Sequence, residues 1–473
     1  MRRLLPLIAL LWFVSCEKDV NKLAPPPKPE PPVSNRTEAQ KLRDSVYFYY
    51  KKDSYWTEAI KVYNPISTFT DLYSSPEEVL AALKKQTPFH AGYNGPFDRF
   101  SRLEDISSGS GRAKADLADG YGMYLTFVRA GTTTQLYVYF VEGGSPAAEQ
   151  GVKRGDRIIE MNKNTEMSQG NVNFIQDAID GNNLDMKVLR AGKEISFKMA
   201  YTTYNINPVI ADTVYSINNK NVGYIAMSSF EEMYDDRGHE TQMYKDLQRV
   251  FDNFGAKNIA DIIVDLRYNG GGYVSTAVHF ANKIINSSGD GQVMFKYDVN
   301  KNLKYLPNGR LNPEYSDVLF QRENSTNIQK VVFLVTEETA SASEIVISAL
   351  KPYMDVKLIA EFDGTFGKPV GFFRQDILGK VGLWTASFKI INKDGFTDYW
   401  DGIPGDLKNV TDNITLDFKD PMENMIASAL NYIKTGALIK VSVAGKASTR
   451  TSSSSIQKLQ RINQPKERDL IKN

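Results

Sequence analysis

The stretch Ile262-Ile263-Val264-Asp265-Leu266-Arg267-Tyr268-Asn269-Gly270-Gly271-Gly272 decides the class of fold. Its dense β-branched start reads as a strand over 259–266 buried on both faces. Three glycines follow after Arg267-Tyr268-Asn269, and 274–285 has the spacing of a helix. The same alternation surrounds it, with strands over 222–227, 331–336 and 356–360 and helices over 240–253 and 344–350. Residues 204–437 therefore read as a layered α/β core of strands and covering helices.

Outward from that core the chain changes character several times. Residues 118–203 carry short β-rich runs with turn punctuation, and 37–117 carries apolar residues at helical spacing, among them Leu42, Val46, Tyr49 and Tyr50. Ser75-Pro76-Glu77-Glu78 marks a helix start ahead of Val79, Leu80 and Leu83. Residues 17–36 are crowded with proline and favour an extended polyproline stalk. Residues 438–473 are basic and rich in Ser and Thr, which reads as a solvated tail. At the other end, Met1-Arg2-Arg3 and the apolar run from Leu4 to Val14 form an export signal over 1–16, too short to span a bilayer. The class is thus multidomain α/β: a helical N-terminal domain, a β-domain and the α/β core.

With 473 residues there is room for two or three domains. Lys and Arg number 57 against 56 Asp and Glu, so the basic field that nucleic-acid binding needs is missing. One cysteine and three histidines give no disulfide framework and little from which to build a metal centre. No cofactor and no metal are expected.

Two segments place small residues at a strand-to-helix junction. The triple glycine lets backbone N–H groups face a ligand at the positive end of a helix. A phosphate loop competes with this reading, but neither GxGxxG nor GxxxxGK[ST] is present; a purely structural turn also remains open. The second segment is Val335-Thr336-Glu337-Glu338-Thr339-Ala340-Ser341-Ala342-Ser343-Glu344-Ile345, followed by Lys368 in Gly364-Thr365-Phe366-Gly367-Lys368. A serine between alanines at such a turn is accessible, and the helix N-terminus favours negative charge there. His90, His239 and His279 lie in other predicted elements, whereas a buried lysine can act as base when its amine is neutral. Ser341 could equally be a helix N-cap.

These motifs, with Phe97-Asp98-Arg99-Phe100-Ser101 before them and Gly402-Ile403-Pro404-Gly405-Asp406 after, resemble the carboxyl-terminal processing (tail-specific) serine peptidase family over most of 40–435. The resemblance implies an endopeptidase with Ser341 as nucleophile and Lys368 as general base. It implies an oxyanion hole from the N–H groups of Ala342 and of Gly271, with Gly270 and Gly272 open as alternatives to Gly271, and Ser343 as an N-cap. Two departures stand out. Phe372 occupies the place where the family usually carries a Gln that orients the lysine, Gln375 being a replacement only if its strand returns to the site. The Ser-to-Lys spacing is also about two residues longer than is usual in the family, with the extra length at Glu361-Phe362-Asp363-Gly364.

Residues 144–159, from Gly144-Ser145-Pro146 to Gly155-Asp156-Arg157-Ile158-Ile159, resemble a PDZ domain, and Tyr121, Gly122, Met123 and Tyr124 its carboxylate-binding loop. This implies protein or peptide substrates with free apolar C-termini, added as a strand. A β-domain with no peptide role is the plainer alternative. A peptide-binding scaffold that has lost catalysis with the missing Gln is the alternative for the whole chain, and a nucleotide-binding protein using the triple glycine is a third.

Finally, Phe13-Val14-Ser15-Cys16 resembles a bacterial lipobox. It implies a lipoprotein tethered by Cys16 in a Gram-negative-type cell envelope, periplasmic or on the cell surface; an ordinary signal peptide with an incidental cysteine is the other reading. Replacing Cys16 with Ser should move the protein from the membrane to the soluble fraction, and a Cys16→Ser protein that still sediments with membranes contradicts the anchor.

Overall fold

The computed structural model describes residues 35–106, 117–130, 133–235, 237–323, 326–441 and 457–463. The leader, Cys16 and the stalk up to residue 34 lie outside them. Among the described residues no helix is long and apolar enough to cross a membrane.

Helix α1 (Glu38–Asp53) begins where Thr37 and Gln40 cap each other's backbone N–H groups, and α2 (Pro76–Lys84) begins at Ser75, whose side chain accepts from Glu78 N. Arg36, assigned above to the stalk, is held by Asp44 at 2.8 Å and Asp71 at 2.6 Å. The apolar faces of the two helices do not close on themselves. Val46, Tyr50, Leu80 and Leu83 share one cluster with Ile377, Val381 and Leu383 of the α/β core. Strand β1 (Arg102–Asp105) goes further and pairs with a core strand. The segment read as a helical domain over 37–117 is therefore a cap built onto the core, with a strand of its own.

Strands β2 (Met123–Ala130), β3 (Thr133–Val141), β4 (Arg157–Met161), β5 (Asn183–Arg190) and β6 (Lys193–Ala200) form one antiparallel sheet. Their inward residues, such as Leu125, Phe127, Val138, Leu184, Met186 and Val188, pack with Ile175 of helix α3 (Val172–Asp180). Every second residue of β5 faces inward, as period-2 patterning requires.

The core sheet comprises β7 (Val209–Ile217), β8 (Lys220–Met227), β9 (Ile259–Asp265), β11 (Lys330–Val335) and β12 (Asp355–Ala360), in that order. The last four run parallel, and β7 joins antiparallel. Alternate residues sort to two faces. Ile262, Val264, Phe333 and Leu358 meet Leu247 of α4 (Gln242–Ala256), Phe280 of α5 (Val274–Ile284) and Val346 of α6 (Ala342–Leu350). Ile263, Val332, Leu334 and Ile359 meet Met425 and Ile426 of α7 (Asn424–Thr435), along with Tyr139 and Phe140 of β3. At about 1.5–3 kcal/mol per fully buried aliphatic or aromatic side chain, this two-sided burial explains the β-branched run in β9. A second sheet joins β10 (Val293–Val299), β13 (Val370–Ile377) and β14 (Val381–Asn392), and β1 completes its edge on β14.

One strand departs from expectation. Within the segment read as a solvated tail, β15 (Gln457–Arg461) pairs antiparallel with β2, extending the order to β15-β2-β3-β4-β5-β6. Its polar composition argued against burial, but strand addition is made by main-chain groups, which composition does not report.

Candidate active site

Strands β9, β11 and β12 are parallel neighbours, with Asp265 opposite Leu334 and Val335 opposite Ala360. Their carboxyl ends therefore open at one edge, where ligands of open α/β sheets bind. The first releases the glycine loop, the second the turn to Ser341, and the third the loop to Lys368.

A buried ion cluster stiffens the base of the glycine loop. Arg267, fully buried, donates to Asp265 Oδ1 at 2.9 Å and to Asp412 Oδ1 at 2.5 Å, and lies 3.2 Å from Glu423. Burial works against its charge, but Asp265, Glu423 and Asp412 more than offset this and push its pKa well up. From the β-domain, Arg154 joins the same cluster through Asp412 and donates to Tyr268 Oη at 2.7 Å. The β-domain and the glycine loop thus share one carboxylate.

Ser341 sits at the N-cap of α6 with φ +57° and ψ −116°, backbone that a non-glycine residue adopts at a cost of about 1–3 kcal/mol. The strain is held by the Ser341 N–H, which donates to Glu344 Oε2 at 2.8 Å. That carboxylate, fully buried, gathers three further donors: Lys368 N at 2.9 Å on Oε2, with Gly367 N at 2.9 Å and Thr365 Oγ1 at 2.5 Å on Oε1. Burial raises the Glu344 pKa above the usual carboxylate range, and these four hydrogen bonds only partly offset it. Two other contacts fix the lysine loop: Phe366 N–H donates to Thr339 O at 2.9 Å, and Ile403 N–H of the Gly402–Asp406 turn donates to Thr365 Oγ1 at 2.7 Å. The backbone N–H groups of the expected nucleophile and of the expected base therefore meet on one oxygen atom. Both are nearly buried, at 4% and 8% exposure. The Phe97–Ser101 motif also reaches this loop, since Arg99 lies 4.9 Å from the Phe366 ring centroid.

Several expectations change. Ser343 is not an N-cap; it lies inside the first turn of α6, with Oγ 3.0 Å from both Asn269 O and Asn269 Oδ1, pinning the glycine loop to the helix. Gln375 does not return to the site, because β13 carries it away and its amide donates to Asp376 O. The position of the usual Gln holds the Phe372 ring, whose centroid is 4.8 Å from Lys368 Nζ. Gly271 has φ +108°, and a Cβ there would stand 2.8 Å from Ser341 Cβ, so glycine is required for close approach. Its N–H, however, donates to Asn269 Oδ1 at 2.9 Å. Ala342, the first residue of α6, has no intrahelical acceptor for its N–H. Asn269 Nδ2 is buried without a protein acceptor beside the same turn, a donor that sequence reading passed over.

The histidines are engaged elsewhere, His239 with Asp235 and His279 with Glu323, while His90 stacks on Tyr93 and lies in a two-residue strand paired with Gly95–Pro96 and not in a helix. In the β-domain, Tyr121 is buried and donates to Gly181 O at 2.6 Å. Gly122 has φ +65° where a Cβ would meet Ser145, and Met123 begins β2. Tyr124 stacks on Phe140.

Residues 221–407 match the model of Peptidase family S41. A carboxyl-terminal-processing protease of Synechocystis is 25% identical over 314 residues, 65% of this chain and 64% of that one. Carboxy-terminal processing protease CtpA of Bacillus subtilis is 30% identical over 235 residues, 48% of this chain and 42% of its own. The chain thus spans less than two thirds of the length of these relatives. A solved structure of a Bacteroides fragilis protein with an S41 designation shares the fold, with a TM-score of 0.64 at 20% identity, over 86% of this chain and 99% of that one.

The shared carboxylate predicts its own test. In Glu344→Gln an amide NH2 must face donors that now meet oxygen, leaving at least one buried N–H unpaired. Stability should fall by about 2–5 kcal/mol in denaturant unfolding, and the peptide hydrolysis proposed below should lose kcat far more than it gains KM. Thr365→Ala, which removes one donor, should be milder in both. Full kcat in Glu344→Gln would contradict the positioning role.

Proposed function

Because residues 221–407 match the model of Peptidase family S41, we propose that the chain is a serine endopeptidase in which Ser341 attacks a peptide carbonyl and Lys368 is the general base. The observation that supports this most strongly is the single Glu344 oxygen that accepts from the backbone N–H of both residues. In this reading the neutral Lys368 amine takes the Ser341 proton as Oγ bonds to the carbonyl carbon, then returns it to the leaving amine. Water attacks the acyl-enzyme with the same amine as base. The oxyanion is held by the Ala342 N–H at the positive end of α6, joined by the glycine loop once the Gly271 N–H exchanges its bond to Asn269 Oδ1.

Substrate proteins or peptides enter, in this proposal, as a strand added to β2 beside the Tyr121–Tyr124 turn, with a free apolar C-terminus directed at that turn, in the manner of a PDZ domain. The chain is further proposed to be an exported lipoprotein held by Cys16 at the cell envelope. The alternative, a catalytically impaired peptide-binding scaffold, has Phe372 on its side, since its ring stands by Lys368 Nζ at the position where the family usually carries the Gln that orients the lysine.

Ser341→Ala and Lys368→Ala should each lower kcat/KM on unstructured protein substrates by about a thousandfold or more while unfolding as the parent does. Ser343→Ala should cost less. Hydrolysis that survives Ser341→Ala removes the nucleophile, and a parent that hydrolyses nothing leaves the scaffold. Amidation of the substrate's C-terminus should raise KM with kcat unchanged; equal cleavage of free and amidated tails at subsaturating concentration would leave an endopeptidase that does not read the terminus.

A further inference from the structure

The strand that covers β2 comes from the chain's own C-terminal segment, and it lies where the proposed function needs the edge open. β15 runs antiparallel to β2, with Gln457 opposite Arg129 and Arg461 opposite Thr126, so it heads toward the Tyr121–Tyr124 turn. Ile462 continues the ladder by donating its N–H to Leu125 O at 2.9 Å, and its side chain packs against the cluster that holds Met123 and Leu125. Asn463 closes it. Its Oδ1 accepts from Leu125 N at 2.9 Å, its Nδ2 donates to Met123 O at 3.0 Å, and its carbonyl accepts from Tyr139 Oη at 3.1 Å. Ten residues follow Asn463, so a side-chain amide stands at the turn in place of a terminal carboxylate.

Arg461 carries the contact beyond the β-domain. Its guanidinium lies 4.8 Å from the Tyr139 ring centroid and 6.0 Å from that of Tyr268, and it pairs with the Glu338 carboxylate. Tyr268 belongs to the glycine loop, and Glu338 stands three residues before Ser341. One residue of the tail thus reaches the β-domain and two of the three loops of the candidate active site, the glycine loop and the turn to Ser341.

We propose that Gln457–Asn463 is a tethered strand ligand that occupies the β2 edge in competition with substrate, Arg461 being its anchor on the active-site loops. The inference rests on β2 being the substrate-docking edge. It also names what that edge selects: an extended segment with a cationic side chain to reach Glu338 and an apolar residue next to it. At an effective concentration of about 1 mM for a short tether, a strand that binds in trans at about 10–100 μM would raise the apparent KM of a competing tail by about 10- to 100-fold.

The experiment compares the full chain, a chain ending at Val441, and full-length Arg461→Glu, with a synthetic peptide of residues 455–465 as probe. The truncated chain should show a KM about 10-fold or more below the parent at equal kcat, and the added peptide should restore the higher KM competitively. Arg461→Glu should lower KM in the full chain, and a peptide carrying the same change should not compete. Full-length Arg461→Glu keeps the test open if the truncated chain does not fold. Unchanged KM in both variants, with no competition by the peptide, overturns the proposal. Anisotropy of a labelled peptide on truncated Ser341→Ala reads edge binding without turnover. Binding there with no hydrolysis by any variant upholds the strand ligand while sinking the peptidase reading; hydrolysis without binding does the reverse.

Discussion

The Glu344 carboxylate is the constraint on which the rest of the site depends. A buried carboxylate is costly unless donors surround it. Here four do, and they come from two segments separated by more than twenty residues: the Ser341 turn and the Thr365–Lys368 loop. Removing either segment from its place leaves the other with a buried charge or an unpaired N–H. The same bonds that satisfy Glu344 hold Ser341 at positive φ, so the strain at the proposed nucleophile and the backbone position of the lysine are two consequences of one carboxylate.

The fold supplies what Glu344 needs. Three parallel neighbours, β9, β11 and β12, end at one edge, and two-sided burial fixes their register, since a one-residue slip would exchange the residues that face α4–α6 for those that face α7. The Arg267 cluster then sets the direction in which the glycine loop leaves β9, and Ser343 and Gly271 bring that loop against the start of α6. Arg154 enters the same cluster from the β-domain, so the domain proposed to receive substrate is tied to the loop proposed to stabilise the oxyanion.

Much of this was legible in the sequence where the signal is local. The β-branched run in β9 showed a strand buried on both faces, Ser75-Pro76 marked a helix start, and the motifs around Ser341 and Lys368 pointed to the candidate site. What stayed hidden is tertiary. Glu344 reads in sequence as an ordinary N3 residue of a helix, and nothing in its spacing reveals that it reaches residues 365–368. Ser343 was misplaced because a serine near a helix start is more often a cap than a pin on a neighbouring loop. Phe372 was visible as a departure, but only the fold shows its ring beneath Lys368. β15 escaped notice because its pairing is made by backbone, while its polar side chains match those of a solvated tail.

The central claim is that Ser341 is a nucleophile activated by Lys368 within this frame. Its most direct measurement is covalent labelling of the full chain with a serine-directed phosphonylating probe, followed by peptide mapping in a mass spectrometer. The account predicts one label per chain, on Ser341, with the rate of labelling sharply reduced in Lys368→Ala. Absence of label on Ser341, label on Ser343 in its place, or an unchanged rate without the lysine would contradict it.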